Sequence, residues 1–203
     1  MTTVAIVLLV ATAVSSAVPA VLRTRVVRHH ELPRHALLVD VVTTAVTTAL
    51  AAAAAIVAAA AGPALGTGLV VATCAALTAA IAGGGFVVRL VLRVGGVPAV
   101  HESDDSPDTG IGEPDTAGPH TAEADTTGPL RGGRVIGYLE RGAVAATLLV
   151  GWPEGLAVIL AVKSLARYPE LRAPHASEQF IMGTFASVLW ATGMAGIGYL
   201  VGH

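Results

Sequence analysis

Residues 41–88 read VVTTAVTTALAAAAAIVAAAAGPALGTGLVVATCAALTAAIAGGGFVV and contain no charged side chain. Near the middle, Gly62 and Pro63 form a pair that interrupts a helix and is typical of a tight turn. A helix needs about 20 apolar residues to cross the hydrocarbon of a bilayer, and each side of this turn supplies them. The stretch therefore predicts two membrane-spanning helices, at 35–61 and 65–88.

Further apolar runs lie on both sides, at 3–22, 135–150, 156–166 and 179–201; the first and last are uncharged, whereas 135–150 contains Glu140 and Arg141 and 156–166 contains Lys163. The chain is 54% hydrophobic and 13% charged, whereas soluble domains carry about 25% charged residues. A soluble Ala-rich bundle would need a polar face on each helix, and a membrane barrel would need sustained period-two alternation. We therefore predict an all-α, polytopic membrane protein with about six transmembrane helices.

Between the two sets of three helices, the composition changes abruptly. Residues 1–94 are predicted to form an N-terminal three-helix membrane segment and residues 134–203 a C-terminal one. Residues 95–133 are rich in Pro, Gly, Thr and Ser and contain eight acidic side chains: Glu102, Asp104, Asp105, Asp108, Glu113, Asp115, Glu123 and Asp125. This composition favours a disordered acidic linker, and the regular oxygen spacing of a calcium loop is missing.

The positions of the basic residues predict the orientation. None of the twelve Lys and Arg residues falls in the Gly62–Pro63 turn, in the Trp152–Gly155 turn or at either end of the sequence. Cytoplasmic loops carry an excess of such residues. A six-helix chain with both termini outside and the linker in the cytoplasm satisfies this rule.

Metal, disulfide and nucleic-acid sites have little support. His29, His30, Glu31 and His35 lie together in the first loop, but their spacing matches no recognised ligand pattern. Cys74 is the only cysteine, so an intramolecular disulfide is excluded. No basic stripe alternates with aromatics, which argues against nucleic-acid binding. We predict no metal and no cofactor.

Charged residues interrupt the fourth and fifth helices, where hydrocarbon is expected. If these helices fold about Pro153, then Glu140, Lys163 and Arg167 lie within about 6 Å of the same depth. Arg141 points about 100° away from Glu140, so it needs either another partner, for which Glu178 at the start of the sixth helix is the candidate, or the lipid head groups. The charges form either structural ion pairs with interfacial anchors or a polar site beneath the cytoplasmic surface.

The sixth helix adds small and hydroxylated residues. Gly183, Ser187, Ala191 and Ala195 recur every four positions and predict a helix-packing face. Thr184 and Ser187 also place hydroxyls near the hairpin. Ser164 is next to Lys163 in sequence, but adjacent helical residues diverge, so no Ser–Lys dyad follows. The predicted polar intramembrane cluster comprises Glu140, Arg141, Lys163, Ser164, Arg167, Glu178, Thr184 and Ser187.

Three segments of the C-terminal third carry a family resemblance: GYLER at 137–141, AVKSLAR at 161–167 and MGTFAS at 182–187, with Glu170 and Glu178 between the last two. Together they resemble the C-terminal segment of a family of uncharacterised bacterial and phage-associated multi-pass membrane proteins. In that family a Glu-Arg pair, an Ala-Lys-Ser-x-x-Arg stretch and a Gly-Thr-x-x-Ser stretch recur in this order. The resemblance does not extend to the first 130 residues. It implies a protein of the bacterial inner (plasma) membrane and no established activity.

Three functions remain open at this point. The favoured one is a non-catalytic scaffold or assembly partner in the bilayer, joined to other copies or to another membrane protein through small-residue faces. The second is a small transporter or channel with an inward-facing polar site at Glu140, Lys163, Arg167 and Glu178. The third is an enzyme acting on lipid head groups, with Lys163 and Arg167 holding phosphate. No metalloprotease, serine-hydrolase or phosphate-loop motif supports catalysis.

Overall fold

A computed structural model of the protein describes residues 1–26, 33–96, 133–168 and 174–203. These ranges contain helices and no strand, so the predicted all-α class is confirmed for them. The helices, in chain order, are α1 (Thr2–Val26), α2 (Pro33–Ala59), α3 (Thr67–Val94), α4 (Gly133–Leu149), α5 (Glu154–Ala166) and α6 (Pro174–Gly202). The predicted linker and the His29–Glu31 part of the first loop lie outside the described residues, apart from Gly95, Gly96 and Gly133 at the linker's ends.

Three helices are both long and apolar enough, within the described residues, to cross a bilayer, so the predicted six spans are not confirmed. The segments Leu38–Ala59, Thr67–Val94 and Ser177–Gly202 are long and apolar enough to cross a bilayer, and Thr2–Val18 is a shorter apolar helix. By contrast, α4 has 17 residues and α5 has 13, which correspond to about 25 and 20 Å. Because the hydrocarbon core is about 30 Å thick, neither helix reaches across it by its own length.

Helices α3 and α6 form the centre of the bundle. Each contacts α1, α2 and α4, and the two pack most extensively against each other, whereas the backbone of α5 lies close only to that of α4 among the described helices. Alanines fill much of the central interface, and Ala76, Ala79 and Ala191 are completely buried. The predicted packing ridge of α6 lies in this interface, since Ser187, Ala191 and Ala195 are all buried. Small side chains let the helix backbones approach closely.

One end of the bundle collects the turns and both chain ends. The Thr2 hydroxyl donates to Gly62 O at 2.9 Å, and Ala64 N donates to Val201 O at 2.8 Å. Leu149, at the end of α4, contacts α6 beside Gly198, which brings the α4–α5 turn to the same end. Among the described residues, both chain ends and the α2–α3 and α4–α5 turns therefore lie at one end of the bundle.

Candidate functional site: a polar cluster beside the glycine turn of α3

The α4–α5 hairpin places Glu140 opposite Lys163. Gly151 (φ +78°) occupies the left-handed region in its turn, where a residue without a Cβ is favoured. Gly155 allows α5 to lie against α4, because a Cβ there would be 2.8 Å from both Thr147 Cγ2 and the Trp152 ring. The close approach at this end fixes the register of the two helices and aligns their charged positions.

Lys163 Nζ donates a hydrogen bond to Glu140 Oε2, which gives the ion pair expected between the fourth and fifth helices. The two side chains are 21% and 22% exposed, so the pair is largely covered. The Lys163 ammonium also lies 5.9 Å from the centre of the Phe180 ring on α6, within reach of a cation–π interaction. Each charge therefore has an opposite partner, and the pair as a whole is neutral.

Arg141 is buried in a different direction, against α3. Its Nε donates to Ile81 O at 3.0 Å, and its guanidinium carbon lies 5.4 Å from the centre of the Tyr138 ring. The Glu178 side chain is exposed, and its expected pairing with Arg141 stays a prediction. A glycine in α3 explains the contact with Ile81. A Cβ at position 84 would overlap the Arg141 side chain, with Nε only 2.7 Å away.

Gly84 belongs to a glycine turn, Gly83–Gly85, that accommodates side chains from two neighbouring helices. A Cβ at Gly83 would lie 2.5 Å from Trp190 Cζ2, and the indole Nε1 of Trp190 donates to Ala79 O at 3.0 Å. Arg141 Nε and Trp190 Nε1 thus both donate hydrogen bonds to backbone carbonyls of α3. Three successive glycines inside an apolar helix are a sequence signal of close helix packing. Glycine weakens a helix, so a run of it is expected only where a neighbouring group must approach the backbone closely.

A small cavity lies between the ion pair and the buried arginine. Its lining residues are Glu140, Arg141, Val144, Ile159, Leu160, Lys163, Ser187 and Val188. The space available to the centre of a water molecule is about 10 Å³, roughly what a single water requires. The cluster is therefore packed too closely for an organic substrate.

The remaining predicted cluster residues do not line this cavity. The Ser164 hydroxyl donates to Leu160 O at 2.8 Å on the exposed surface of α5. It lies outside the cavity, and this contact gives no support to a role as a nucleophile. Arg167 is exposed at the end of α5, and Thr184 on α6 is partly buried. The structure thus brings together Glu140, Arg141, Lys163 and Ser187, which is half of the predicted set.

A second charged cluster, which the sequence reasoning did not connect, joins α2 to α3. Asp40 is completely buried and forms ion pairs of 3.2 Å with Arg89 Nη2 and Arg93 Nη1. Arg89 Nε also donates to Asp40 Oδ2 at 3.4 Å. The available signal was that Asp40 and Arg89 delimit the uncharged stretch 41–88. Folding that stretch at Gly62 and Pro63 brings its two charged ends together.

No family model, curated protein or solved structure matches this chain. The resemblance of the C-terminal third to a bacterial membrane-protein family therefore stays a prediction. Within the described ranges, no three His, Cys, Asp or Glu side chains are grouped so that they could hold a metal ion. His29, His30 and Glu31 are outside those ranges.

Proposed function

We propose that the protein is a non-catalytic integral membrane scaffold or assembly partner, and that its intramembrane charges serve to hold the helices together. The observation that carries this proposal is the roughly water-sized cavity at the centre of the polar cluster. A transporter or a lipid-modifying enzyme needs room for its substrate at the polar groups that recognise it. Here the same groups are directed at one another and at backbone carbonyls.

The pattern of contacts supports a structural role for each charge. Lys163 joins α5 to α4, Arg141 joins α4 to α3, and Asp40 joins α2 to α3. An ionised group inside a bilayer costs roughly 2.5–3.5 kcal/mol on insertion scales, so partners are needed. Interhelical polar contacts add geometric specificity to packing that is otherwise made of alanines.

For the membrane arrangement, we propose that six helices lie in a bacterial inner membrane, with both termini outside and the 95–133 linker in the cytoplasm. The three long helices would span, and α1 would span together with its continuation beyond Val18. The short α4–α5 hairpin would rely on local thinning of the bilayer or on a neighbouring protein. Its exposed apolar side chains, including Val158, Val162 and Leu165, would face lipid or that neighbour.

The proposal can be tested by separating protein level from flux. Under the scaffold function, Glu140→Ala and Lys163→Ala should each lower the amount of folded protein in the membrane, because each leaves the other charge unpaired. Glu154→Ala is the matched control, since this carboxylate is exposed at the opposite end of α5. Normal levels of both pair variants, accompanied by loss of an ion or solute flux in liposomes, would refute the scaffold function.

That outcome would support the second candidate, a small inward-facing transporter. One observation favours it: Ser187 is buried at the cavity and makes no hydrogen bond to another described residue, while the adjacent ion pair retains about one-fifth of its exposure. Opening of the α4–α5 hairpin would then have to enlarge this cavity.

A further inference from the structure

Arg89 and Arg93 both form ion pairs with Asp40, so two described cations share one carboxylate. The Glu140–Lys163 pair, in contrast, has one charge of each sign. We infer that these two arginines form a binding site for a phosphate group, and that its occupant is the head-group phosphate of an anionic membrane lipid. This site is separate from the polar cluster and does not depend on the scaffold function.

The net charge of the described cluster favours an anion. The described members of the cluster are two guanidiniums and one carboxylate. Glu140 and Lys163 neutralise each other, whereas one carboxylate cannot neutralise both arginines. Counted over the described residues, the side of the cluster facing away from Asp40 therefore carries an excess of positive charge, which an anion would offset.

Arg89 and Arg93 also carry N–H groups that Asp40 does not use. Arg89 uses Nε and Nη2 on Asp40, and Arg93 uses Nη1. The other N–H groups make no hydrogen bond to the described protein, and each arginine side chain remains 33% exposed. A planar guanidinium with free N–H groups is the protein group best suited to bidentate binding of phosphate oxygens.

Contacts within the protein already hold the two arginine side chains in place. The Asp40 carboxylate is 0% exposed and contacts both guanidiniums. Arg89 also lies 4.7 Å from the centre of the Phe86 ring, which restricts its side chain further. Because side-chain ordering is a large part of the cost of binding, arginines fixed in place bind an anion more tightly than freely moving ones.

The positions of Arg89 and Arg93 along α3 indicate which kind of phosphate group they would meet. Arg93 lies in the last turn of α3, a helix long enough to span, and Arg89 lies one turn earlier. Both are consequently near the level where lipid phosphates lie, at the end of the bundle opposite the α2–α3 turn. The position selects a membrane lipid rather than a soluble phosphate compound.

The test uses the full chain in detergent micelles or in phosphatidylcholine nanodiscs, with phosphatidylglycerol titrated in and bound lipid measured by native mass spectrometry. Arg93→Gln should weaken phosphatidylglycerol binding by roughly tenfold, as expected for loss of a charge-assisted hydrogen bond. Arg167→Gln removes the same charge from an exposed position at the end of α5 and should change binding less than twofold.

Arg93→Lys provides a second variant that keeps the charge and removes the planar fork. It should bind phosphatidylglycerol more weakly than the parent protein, whereas attraction by charge alone predicts no change. Equal effects of Arg93→Gln and Arg167→Gln would overturn the site. Displacement of the lipid by millimolar inorganic phosphate would show that the phosphate is recognised without its lipid, and would overturn the assignment of the occupant.

Discussion

Gly84 is the position where a single methyl group should have the most specific effect. In Gly84→Ala the new Cβ overlaps the Arg141 side chain, which is 6% exposed and has little room to move. The arginine must withdraw, and its hydrogen bond to Ile81 O is lost. Overpacking costs about 1–3 kcal/mol, and an interhelical hydrogen bond in a bilayer contributes about 0.6–1.7 kcal/mol.

The gain in helix propensity from Gly to Ala offsets about 1 kcal/mol of this cost. We therefore expect Gly84→Ala to lower the free energy of unfolding by roughly 1–3 kcal/mol. Gly85→Ala is a control on the adjacent residue, because its Cβ would meet only Arg89 Nη1 at 3.5 Å, an ordinary contact. That variant should be as stable as the parent protein or slightly more stable.

The measurement is equilibrium unfolding of the purified protein in mixed micelles, for both glycine variants and for Arg141→Ala alone and combined with Gly84→Ala. If Arg141 is the group that the methyl displaces, the double variant should be less destabilised than the sum of the two single variants by about 1 kcal/mol or more. Equal stability of Gly84→Ala and Gly85→Ala, or strict additivity with Arg141→Ala, would refute the reasoning.

Three further changes test the other polar links. Exchanging the charges by Glu140→Lys with Lys163→Glu should restore much of the folded protein that either substitution alone removes, as measured by in-membrane yield. Asp40→Asn should destabilise the bundle by about 3 kcal/mol in micelle unfolding, because breaking a buried pair leaves like charges together; an effect below 1 kcal/mol would contradict the structural role. Trp190→Phe removes the hydrogen bond to Ala79 O and the indole atoms that lie against Gly83, so it should cost at least about 1 kcal/mol in the same assay. A larger loss would indicate that packing rather than this bond dominates.

The positions of the helices and the turns follow from the sequence, because apolar runs and the Gly62–Pro63 break are local signals. The Glu140–Lys163 pair also follows, since a short turn fixes the depth of both residues. The positions of α4 and α5 agree with the predicted runs, but whether helices of 17 and 13 residues span a bilayer does not follow, because an apolar run shows where a helix lies and not how deeply it enters a bilayer.

The partners of Arg141 and Asp40 could not be predicted in the same way. The contact of Arg141 with α3 was missed because only charged partners were considered for it, whereas the backbone carbonyl of Ile81 accepts a hydrogen bond from its Nε. That carbonyl becomes accessible only because Gly84 removes the side chain in front of it. Folding at Gly62 and Pro63 brings Asp40 and Arg89 to the same end of α2 and α3, but their contact also depends on the rotation of the two helices about their axes, which sequence spacing does not give.

Helix α3 explains why the two predicted membrane segments form one bundle. Within a few turns it contacts Asp40 from α2, Arg141 from α4 and Trp190 from α6. Two of these three contacts come from the far side of the linker, so the C-terminal segment supplies donors that the N-terminal segment accepts. Because lipid tails are as apolar as the helices, apolar burial contributes little to association inside a bilayer. Polar contacts and the close approach at Gly83 and Gly84 must therefore supply much of the specificity that joins the segments, and α3 is the element through which a scaffold function would depend on both.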